Sequence, residues 1–225
     1  MIIPIDEPLT IPVGTGQISG LLCRPERASF LYVLAHGAGA GMRHRFLEAM
    51  AGLLAGEGIA TLRYQFPYME QQRKRPDPPG VAVATVRAAV EAGLAALPGT
   101  SLLAGGKSFG GRMTSTAAAS APLPGVRGLV FLGYPLHPPG KPGVERAAHL
   151  AAVRIPMLFL QGTRDDFARS DLLHDTIVRL GSLATLHLVP DGDHSFSVRK
   201  ASGQDPAAVL ADLASRIGSW ARGLP

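Results

Sequence analysis

Short apolar runs recur along the chain from residue 30 onward, and longer segments with helically spaced or alanine-rich positions separate them. Apolar runs of this length, bounded by glycine, proline and polar residues, are typical of strands that are buried on both faces. The strands predicted in this way are residues 30–35, 59–64, 101–104, 126–132, 156–161 and 185–189.

The intervening segments carry apolar residues at the spacing of one helix face, or runs of strong helix formers. The helices predicted in this way are residues 45–56, 81–96, 110–119, 144–152, 168–180 and 206–221. Regular alternation of strands and helices is the pattern of a parallel sheet that is covered by helices. The sequence therefore predicts the α/β class, with a mostly parallel, twisted sheet and helices on both of its faces.

The N-terminal segments 9–13 and 17–24 are predicted to form a hairpin closed at Gly14-Thr15-Gly16, which adds antiparallel strands at one edge. We find no internal repeat, low-complexity segment or linker, so we expect residues 1–225 to form a single domain. The loop at residues 134–143 is too short to hold a helical lid. No separate cap domain is expected, and the site should be an open cleft.

Composition points to a folded protein, since 46% of the 225 residues are hydrophobic and 17% are charged. The single cysteine, Cys23, excludes an internal disulfide and favours a reducing compartment. It follows Leu21-Leu22, so we interpret it as a small buried hydrophobe. No signal peptide or long apolar span is evident, and we expect a soluble, cytoplasmic protein without a membrane partner.

The net charge of +5 raises the question of a nucleic-acid partner. The basic residues are dispersed, however, and only Arg73-Lys74-Arg75 forms a run, inside a proline-rich polar segment. A solvated loop explains that run better than a phosphate-binding patch, so no nucleic-acid partner is expected. The glycines at positions 37, 39 and 41 lack the dinucleotide-binding spacing, and we find no metal-ligand spacing. We expect neither a cofactor nor a metal.

The segment Gly106-Lys107-Ser108-Phe109-Gly110 matches GxSxG, and it lies between an apolar strand-like run and a small-residue helix. This is the arrangement of a nucleophile elbow, in which a serine stands on a tight strand-to-helix turn. Ser108 is therefore the candidate nucleophile, and the alternative is a glycine-rich turn that contains a serine by chance. Lys107 and Arg112 flank the elbow, and we assign no chemistry to them.

A serine hydroxyl is a weak nucleophile, and it needs an imidazole to take its proton and a carboxylate to orient that imidazole. His194 lies in the loop after the predicted strand 185–189, and Asp165 and Asp166 lie after the strand 156–161. The order Ser, Asp, His places each residue after the carboxyl end of a strand, where open α/β sheets bind ligands. We favour Asp165 over Asp166, which instead could be a charge at the start of the next helix.

Other histidines fit the role of base less well. His187 alternates with leucines on a strand, and His137 lies upstream of the acid, which breaks the chain order. The remaining candidates fall in or next to predicted helices: His44, His149 and His174.

Acyl transfer develops negative charge on a carbonyl oxygen, which backbone amides stabilise in an oxyanion hole. The Phe109 amide, directly after the nucleophile, is one expected donor. The other should come from the small-residue loop after the first parallel strand, where we assign Ala38, with Gly39 as the alternative. His36 in the same loop is interpreted as a structural hydrogen-bonding residue.

Together these motifs resemble the α/β-hydrolase superfamily, and they are similar to its small cap-less, dienelactone-hydrolase-like predicted hydrolases. The matching segments span most of the chain: HGAGAGM at 36–42, RYQFPYME at 63–70, GGKSFGGRM at 105–113, FLQGTRDDF at 159–167 and DGDHSF at 191–196. The resemblance implies a triad of Ser108, Asp165 and His194 that acts on an acyl substrate. Dienelactone hydrolases proper carry cysteine at the elbow, so Ser108 argues against dienelactone as the substrate.

The function expected from the sequence is a serine hydrolase that cleaves a small ester or thioester through an acyl-enzyme, with a small-molecule acyl substrate. The alternative is a non-catalytic interaction module or scaffold that keeps the hydrolase fold and uses residues 73–75 for partner contact, since some members of the wider group serve as scaffolds. The oligomeric state is left open, because no helix shows a clear dimer seam.

Overall fold

The computed structural model of the protein describes residues 5–225, which form an eight-stranded sheet. Its strands are β1 (Asp6–Val13), β2 (Gly16–Cys23), β3 (Phe30–Ala35), β4 (Ile59–Tyr64), β5 (Ser101–Lys107), β6 (Val126–Leu132), β7 (Met157–Gly162) and β8 (Ala184–Val189). The spatial order is β1-β2-β4-β3-β5-β6-β7-β8. Only β1 with β2 and β2 with β4 pair antiparallel, so the sheet is mostly parallel, as predicted.

Six α-helices are found in the described chain: α1 (Arg45–Gly56), α2 (Pro67–Glu70), α3 (Pro79–Ala96), α4 (Phe109–Ser120), α5 (Ser170–Leu180) and α6 (Pro206–Arg222). Three 3₁₀ helices cover Glu145–Ala152, Gly181–Leu183 and Lys200–Ser202. Side chains cap two of the long helices: the His44 imidazole accepts the Phe46 amide, and the Asp205 carboxylate accepts the Ala207 amide. Each cap satisfies a donor that the first helical turn leaves free.

The sheet has a hydrophobic core on each face. On one face, α1 and α6 bury residues such as Leu54 and Ile217 against alternate positions of the parallel strands, among them Leu34. On the other face, α3 and α4 bury residues such as Val90 and Met113. Helices therefore cover both faces, which confirms the predicted α/β architecture.

Three predicted elements differ clearly from the structure. The first strand, predicted at residues 9–13, covers Asp6–Val13. The segment predicted as a helix at 144–152 is a 3₁₀ helix over Glu145–Ala152, whose buried residues Ala147 and Leu150 are three positions apart, the spacing that a 3₁₀ turn aligns. The strand predicted at 101–104 extends to Lys107, because Gly105 and Gly106 continue the pairing with β3 and β6. Glycine is rarely found in strands, so the strand predicted from residue propensities stops too early, at residue 104.

One helix in the described part of the chain, α3, is long and apolar enough to cross a membrane. Its fully buried residues, Ala82, Ala89 and Val90, belong to the core on the sheet. Core helices pass the same test of length and composition, so α3 is weak evidence for a membrane span.

The centre of the sheet depends on a close approach of β3 and β5 at Gly106. Gly106 has φ of 152°, and a Cβ built at this position would lie 2.3 Å from the Ala35 carbonyl oxygen. Backbone cannot yield as a flexible side chain does, so only glycine fits at the end of β5.

We expect Gly106→Ala to lower the free energy of unfolding by about 3 kcal/mol or more, because the new methyl group meets backbone and φ is strained. The matched control is Gly52→Ala, within α1, where an added Cβ meets nothing within 4 Å. That change should stabilise the protein by roughly 0.5–1 kcal/mol, since alanine favours a helix. Urea denaturation of both variants is the measurement, and equal effects would contradict the close approach.

Candidate active site

Ser108 stands on a strained turn between β5 and α4. Its φ of 50° and ψ of −114° are unusual for a residue with a side chain, and such conformations persist only where the surrounding structure enforces them. The Ser108 amide donates to the Leu132 carbonyl at 3.2 Å, and Gly110 packs so closely that a Cβ there would lie 2.6 Å from the Ala35 Cβ. The GxSxG segment therefore has the local geometry of a nucleophile elbow.

A continuous hydrogen-bond chain joins three of the residues singled out in the sequence. The Ser108 Oγ lies 2.8 Å from His194 Nε2, and His194 Nδ1 lies 2.7 Å from Asp165 Oδ2. An ionised carboxylate can only accept a hydrogen bond, so His194 Nδ1, which faces Asp165, carries the proton. His194 Nε2 is then unprotonated and can accept the Ser108 hydroxyl proton. Asp166, the alternative acid, is exposed to solvent.

Burial and hydrogen bonds hold the Asp165 carboxylate, whose side chain is 0% exposed. Gln161 Nε2 donates to Oδ2, and the Phe167 amide donates to Oδ1 at 2.8 Å. Gln161 is held in turn, because its Oε1 accepts the Tyr134 amide at 2.8 Å. The sequence reasoning did not identify Gln161, although a glutamine that ends the apolar strand β7 is a signal of a polar contact.

The His194 ring is fixed from one side and open on the other. Phe167 packs against it with ring centroids 4.3 Å apart, and the side chain of His194 is 21% exposed. Asp193 Oδ1 accepts the amides of Ser195 and Ser197, which shapes the loop around the imidazole. The imidazole is thus positioned and still accessible from solvent.

The loop after β3 lies directly beside Ser108, since a Cβ built on Gly37 would be 3.8 Å from the Ser108 Cβ. Within this loop the Gly39 amide donates to the Tyr68 hydroxyl at 2.9 Å, so that amide is occupied and Ala38 fits the second oxyanion donor better. The other expected donor, Phe109, is the first residue of α4, where an amide has no acceptor within the helix. Tyr68 is a second supporting residue that sequence reasoning missed.

His36 lies at the start of the same loop, supports it by hydrogen bonds, and is completely buried. Its Nδ1 donates to the Gly37 carbonyl at 2.7 Å, and its Nε2 accepts the Phe66 amide at 3.1 Å. Both nitrogens are used by the neutral ring, and burial lowers the pKa of His36 to about 4. These contacts agree with the structural role predicted for His36.

A second serine–histidine pair, Ser115 and His149, differs from the first in the charge that surrounds the imidazole. Ser115 Oγ lies 2.8 Å from His149 Nε2, yet burial and the nearby Arg112 guanidinium lower the pKa of His149. Where His194 faces a carboxylate, His149 faces a cation, which opposes the imidazolium that forms when a histidine accepts a serine proton. The pair therefore has the wrong electrostatics for nucleophile activation.

His137 and His187 make hydrogen bonds to groups other than Ser108, Asp165 and His194. His137 donates from Nδ1 to the Pro138 carbonyl and accepts the Arg169 amide at Nε2, and His187 lies 2.9 Å from the Asp212 carboxylate. His174 is exposed on α5. Among residues 5–225 no group of three or more His, Cys, Asp or Glu side chains has the arrangement of a metal site.

The basic run at residues 73–75 is partly neutralised. Arg73 pairs with the buried Asp77 carboxylate at 2.6 Å, and the other Asp77 oxygen accepts the Tyr68 amide at 2.9 Å. Arg73 thus braces the segment of Tyr68, which supports the loop after β3, while Lys74 and Arg75 are exposed.

Residues 28–222 match the alpha/beta hydrolase domain family, and the chain belongs to that family. Solved structures share the fold at low sequence identity. A dienelactone hydrolase from Anabaena variabilis superposes with a TM-score of 0.77 at 21% identity, covering 99% of each chain. A serine hydrolase without a lid from Xanthomonas campestris superposes with a TM-score of 0.75 at 22% identity, covering 98% of this chain and 95% of that one.

Two curated relatives from strains of Mycobacterium tuberculosis, both named putative phosphoribosyl transferases, are 29% identical over 195 residues. The match covers 85% of this chain but 42% of each relative, so the chain spans less than half the length of those proteins. The chain is thus a hydrolase-fold protein that resembles one part of longer proteins.

We expect the wild type to lose up to about 3 kcal/mol of unfolding free energy through His36 as the pH falls from 6.5 to 4. Between these values the unfolded state binds a proton at His36 that the folded state excludes, so stability falls with pH. The variant His36→Gln should lack this contribution, whereas His174→Gln, at an exposed position, should keep it. Denaturant titrations at pH 7 and pH 4.5 measure the difference, which would be equal in all three proteins if His36 were not held neutral.

Proposed function

We propose that the protein is a serine hydrolase that cleaves small esters or thioesters through an acyl-enzyme on Ser108. The observation that carries this proposal is the hydrogen-bond chain from Ser108 through His194 to the buried Asp165. A buried carboxylate, an oriented imidazole and a serine on a strained turn form the arrangement that activates a hydroxyl for acyl transfer.

In the first half-reaction His194 Nε2 takes the hydroxyl proton while Ser108 Oγ attacks the acyl carbon of the substrate. The imidazolium that forms is stabilised by Asp165, whose second oxygen stays bound to the Phe167 amide. The negative charge on the carbonyl oxygen is stabilised by the amides of Ala38 and Phe109. His194 then gives its proton to the leaving alcohol or thiol, and the acyl-enzyme remains.

In the second half-reaction water takes the place of the leaving group. His194 removes a proton from this water as it attacks the acyl carbon, and the proton passes to Ser108 Oγ when the ester bond to the enzyme breaks. The side chain of His194 is 21% exposed, so water can approach the imidazole from solvent. The cycle returns Ser108 and His194 to the starting protonation states.

The similarity to the two mycobacterial proteins does not extend the proposal to phosphoribosyl transfer. Their names describe whole proteins of which the match covers 42%, and the hydrogen-bond chain from Ser108 to Asp165 fits acyl transfer. The proposal therefore rests on this chain's own residues.

A fluorophosphonate probe should label the wild type at a serine, and labelling should vanish in Ser108→Ala. The matched control is Ser115→Ala, which removes the serine of the second serine–histidine pair and should leave labelling intact, because His149 is not paired with an acid. Gel fluorescence measures labelling, and circular dichroism confirms folding. A folded wild type that is not labelled would contradict the proposal and favour the non-catalytic interaction module.

Hydrolysis of p-nitrophenyl esters and of acyl-coenzyme A thioesters should proceed in the wild type, and kcat in Ser108→Ala should be lower by at least about 10³-fold. Absorbance of p-nitrophenol and thiol detection measure the two reactions. Turnover that persists in Ser108→Ala would show that another group performs the chemistry.

A further inference from the structure

Lys107, the residue before Ser108, connects the two loops that meet at the site. Its ammonium donates a hydrogen bond to the backbone carbonyl oxygen of His194, 87 residues further along the chain. Its stem passes Gly37, at the start of the loop after β3, because a Cβ built on Gly37 would lie 3.5 Å from Lys107 Cγ. One side chain thus lies beside the loop that carries Ala38 and binds the loop that carries the imidazole.

Gly133, directly after β6, makes room for this contact. Its φ is 70°, and a Cβ built there would lie 2.8 Å from Lys107 Nζ, 3.2 Å from the His194 carbonyl oxygen and 3.4 Å from His194 Nδ1. The space that glycine leaves is therefore occupied by the ammonium and the edge of the imidazole. The contact is enclosed between strand ends, unlike a surface lysine that happens to touch a loop.

Two carboxylates and an aromatic ring partly offset the cost of burying the Lys107 cation. Burial lowers the pKa of Lys107 to about 8, while the carboxylates of Asp165 and Asp193 act in the opposite direction. The ammonium also lies 5.5 Å from the centre of the Phe196 ring, whose face attracts cations. Phe196 itself is held at a positive φ of 61° and stacks on Phe46 of α1.

The hydrogen bond from Lys107 to the His194 carbonyl oxygen bears on the position of the His194 imidazole. The His194 ring must place Nε2 at Ser108 and Nδ1 at Asp165 at the same time, with both distances below 3 Å. The ring is attached to the backbone unit whose carbonyl oxygen Lys107 binds. A backbone shift of about 1 Å would weaken both hydrogen bonds, and displacements of this size cost on the order of 10²-fold in rate.

We propose that Lys107 is a positioning residue that fixes the His194 imidazole between Ser108 and Asp165 by binding the His194 carbonyl oxygen. The effect on catalysis rests on the proposed hydrolase function, but the position of the His194 imidazole can be measured without turnover. Lys107 makes no contact with substrate in this role, and its effect passes through His194.

The test replaces Lys107 by cysteine and then rebuilds the ammonium chemically. In a Cys23→Ala background, Lys107→Cys should lower kcat by roughly 10- to 100-fold while KM changes less than about threefold, since the acyl-binding groups stay in place. Alkylation of the unfolded protein with 2-bromoethylamine, followed by refolding, gives a side chain close to lysine in length and charge. It should restore most of kcat, whereas alkylation with iodoacetamide, which adds a neutral group, should not.

Lys74→Cys in the same background is the matched control, because Lys74 lies exposed in the loop after α2. It undergoes the same alkylations, and its kcat should stay within about twofold of the background protein. This control separates the effect of the chemistry and of refolding from the effect of the ammonium at position 107.

A second readout does not depend on activity. The His194 Nδ1 proton, bonded to Asp165, should give a downfield proton NMR signal that is identified by its loss in Asp165→Ala. The signal should weaken or vanish in Lys107→Cys and return after aminoethylation. An unchanged signal together with an unchanged kcat in folded Lys107→Cys would overturn the inference; loss and rescue of the signal in a protein without turnover would support positioning and reject the proposed function.

Discussion

The close packing of β3, β5 and the start of α4 is the constraint on which the site depends. Gly106 and Gly110 bring the backbone of the elbow against Ala35, and this approach turns the chain sharply enough to give Ser108 its positive φ. The turn places the hydroxyl at the edge of the sheet where the loops after β3, β7 and β8 begin. Without the two glycines, Ser108 would be an ordinary residue at the start of a helix.

Around the elbow, supporting residues form a layer that holds each functional group by its backbone or its polar atoms. Gln161 and the Phe167 amide hold Asp165, while Tyr68 and His36 hold the loop that carries Ala38. Each of these contacts is buried or partly buried, where a hydrogen bond that is lost leaves an unsatisfied group. Hydrogen bonds thus hold Ser108, His194 and Asp165 together, while the side chain of His194 stays 21% exposed.

The strand and helix pattern of the sequence was sufficient to predict the α/β class with a mostly parallel sheet, because buried parallel strands leave a strong apolar signal. The hydrolase family was predicted from the resemblance of the motifs and not from that pattern. Propensity ended β5 at residue 104 and missed the pairing of Gly105 and Gly106, which tertiary packing imposes. Motif order predicted Ser108, Asp165 and His194, and the structure places them in hydrogen-bond contact. The choice between adjacent Asp165 and Asp166 depends on the turn after β7, which residue types alone do not define.

The supporting residues were harder to predict, because their roles arise from contacts between distant segments. Lys107 lies beside Ser108 in sequence, yet its partner is the backbone carbonyl of His194. Every residue has a backbone carbonyl, so residue types do not indicate this contact. Tyr68 and Gln161 likewise act on groups far along the chain or on backbone amides. Such roles follow from the three-dimensional arrangement of loops and not from local pattern.

Mass spectrometry of an acid-quenched reaction shows directly whether Ser108 becomes acylated. After a short incubation with p-nitrophenyl acetate, we expect an acetyl group on the tryptic peptide of residues 108–112, which contains Ser108 and no other hydroxyl or amine side chain. The acetyl group should disappear as substrate is exhausted. Turnover of the ester with that peptide never modified, or with acetylation only elsewhere, would contradict an acyl-enzyme on Ser108.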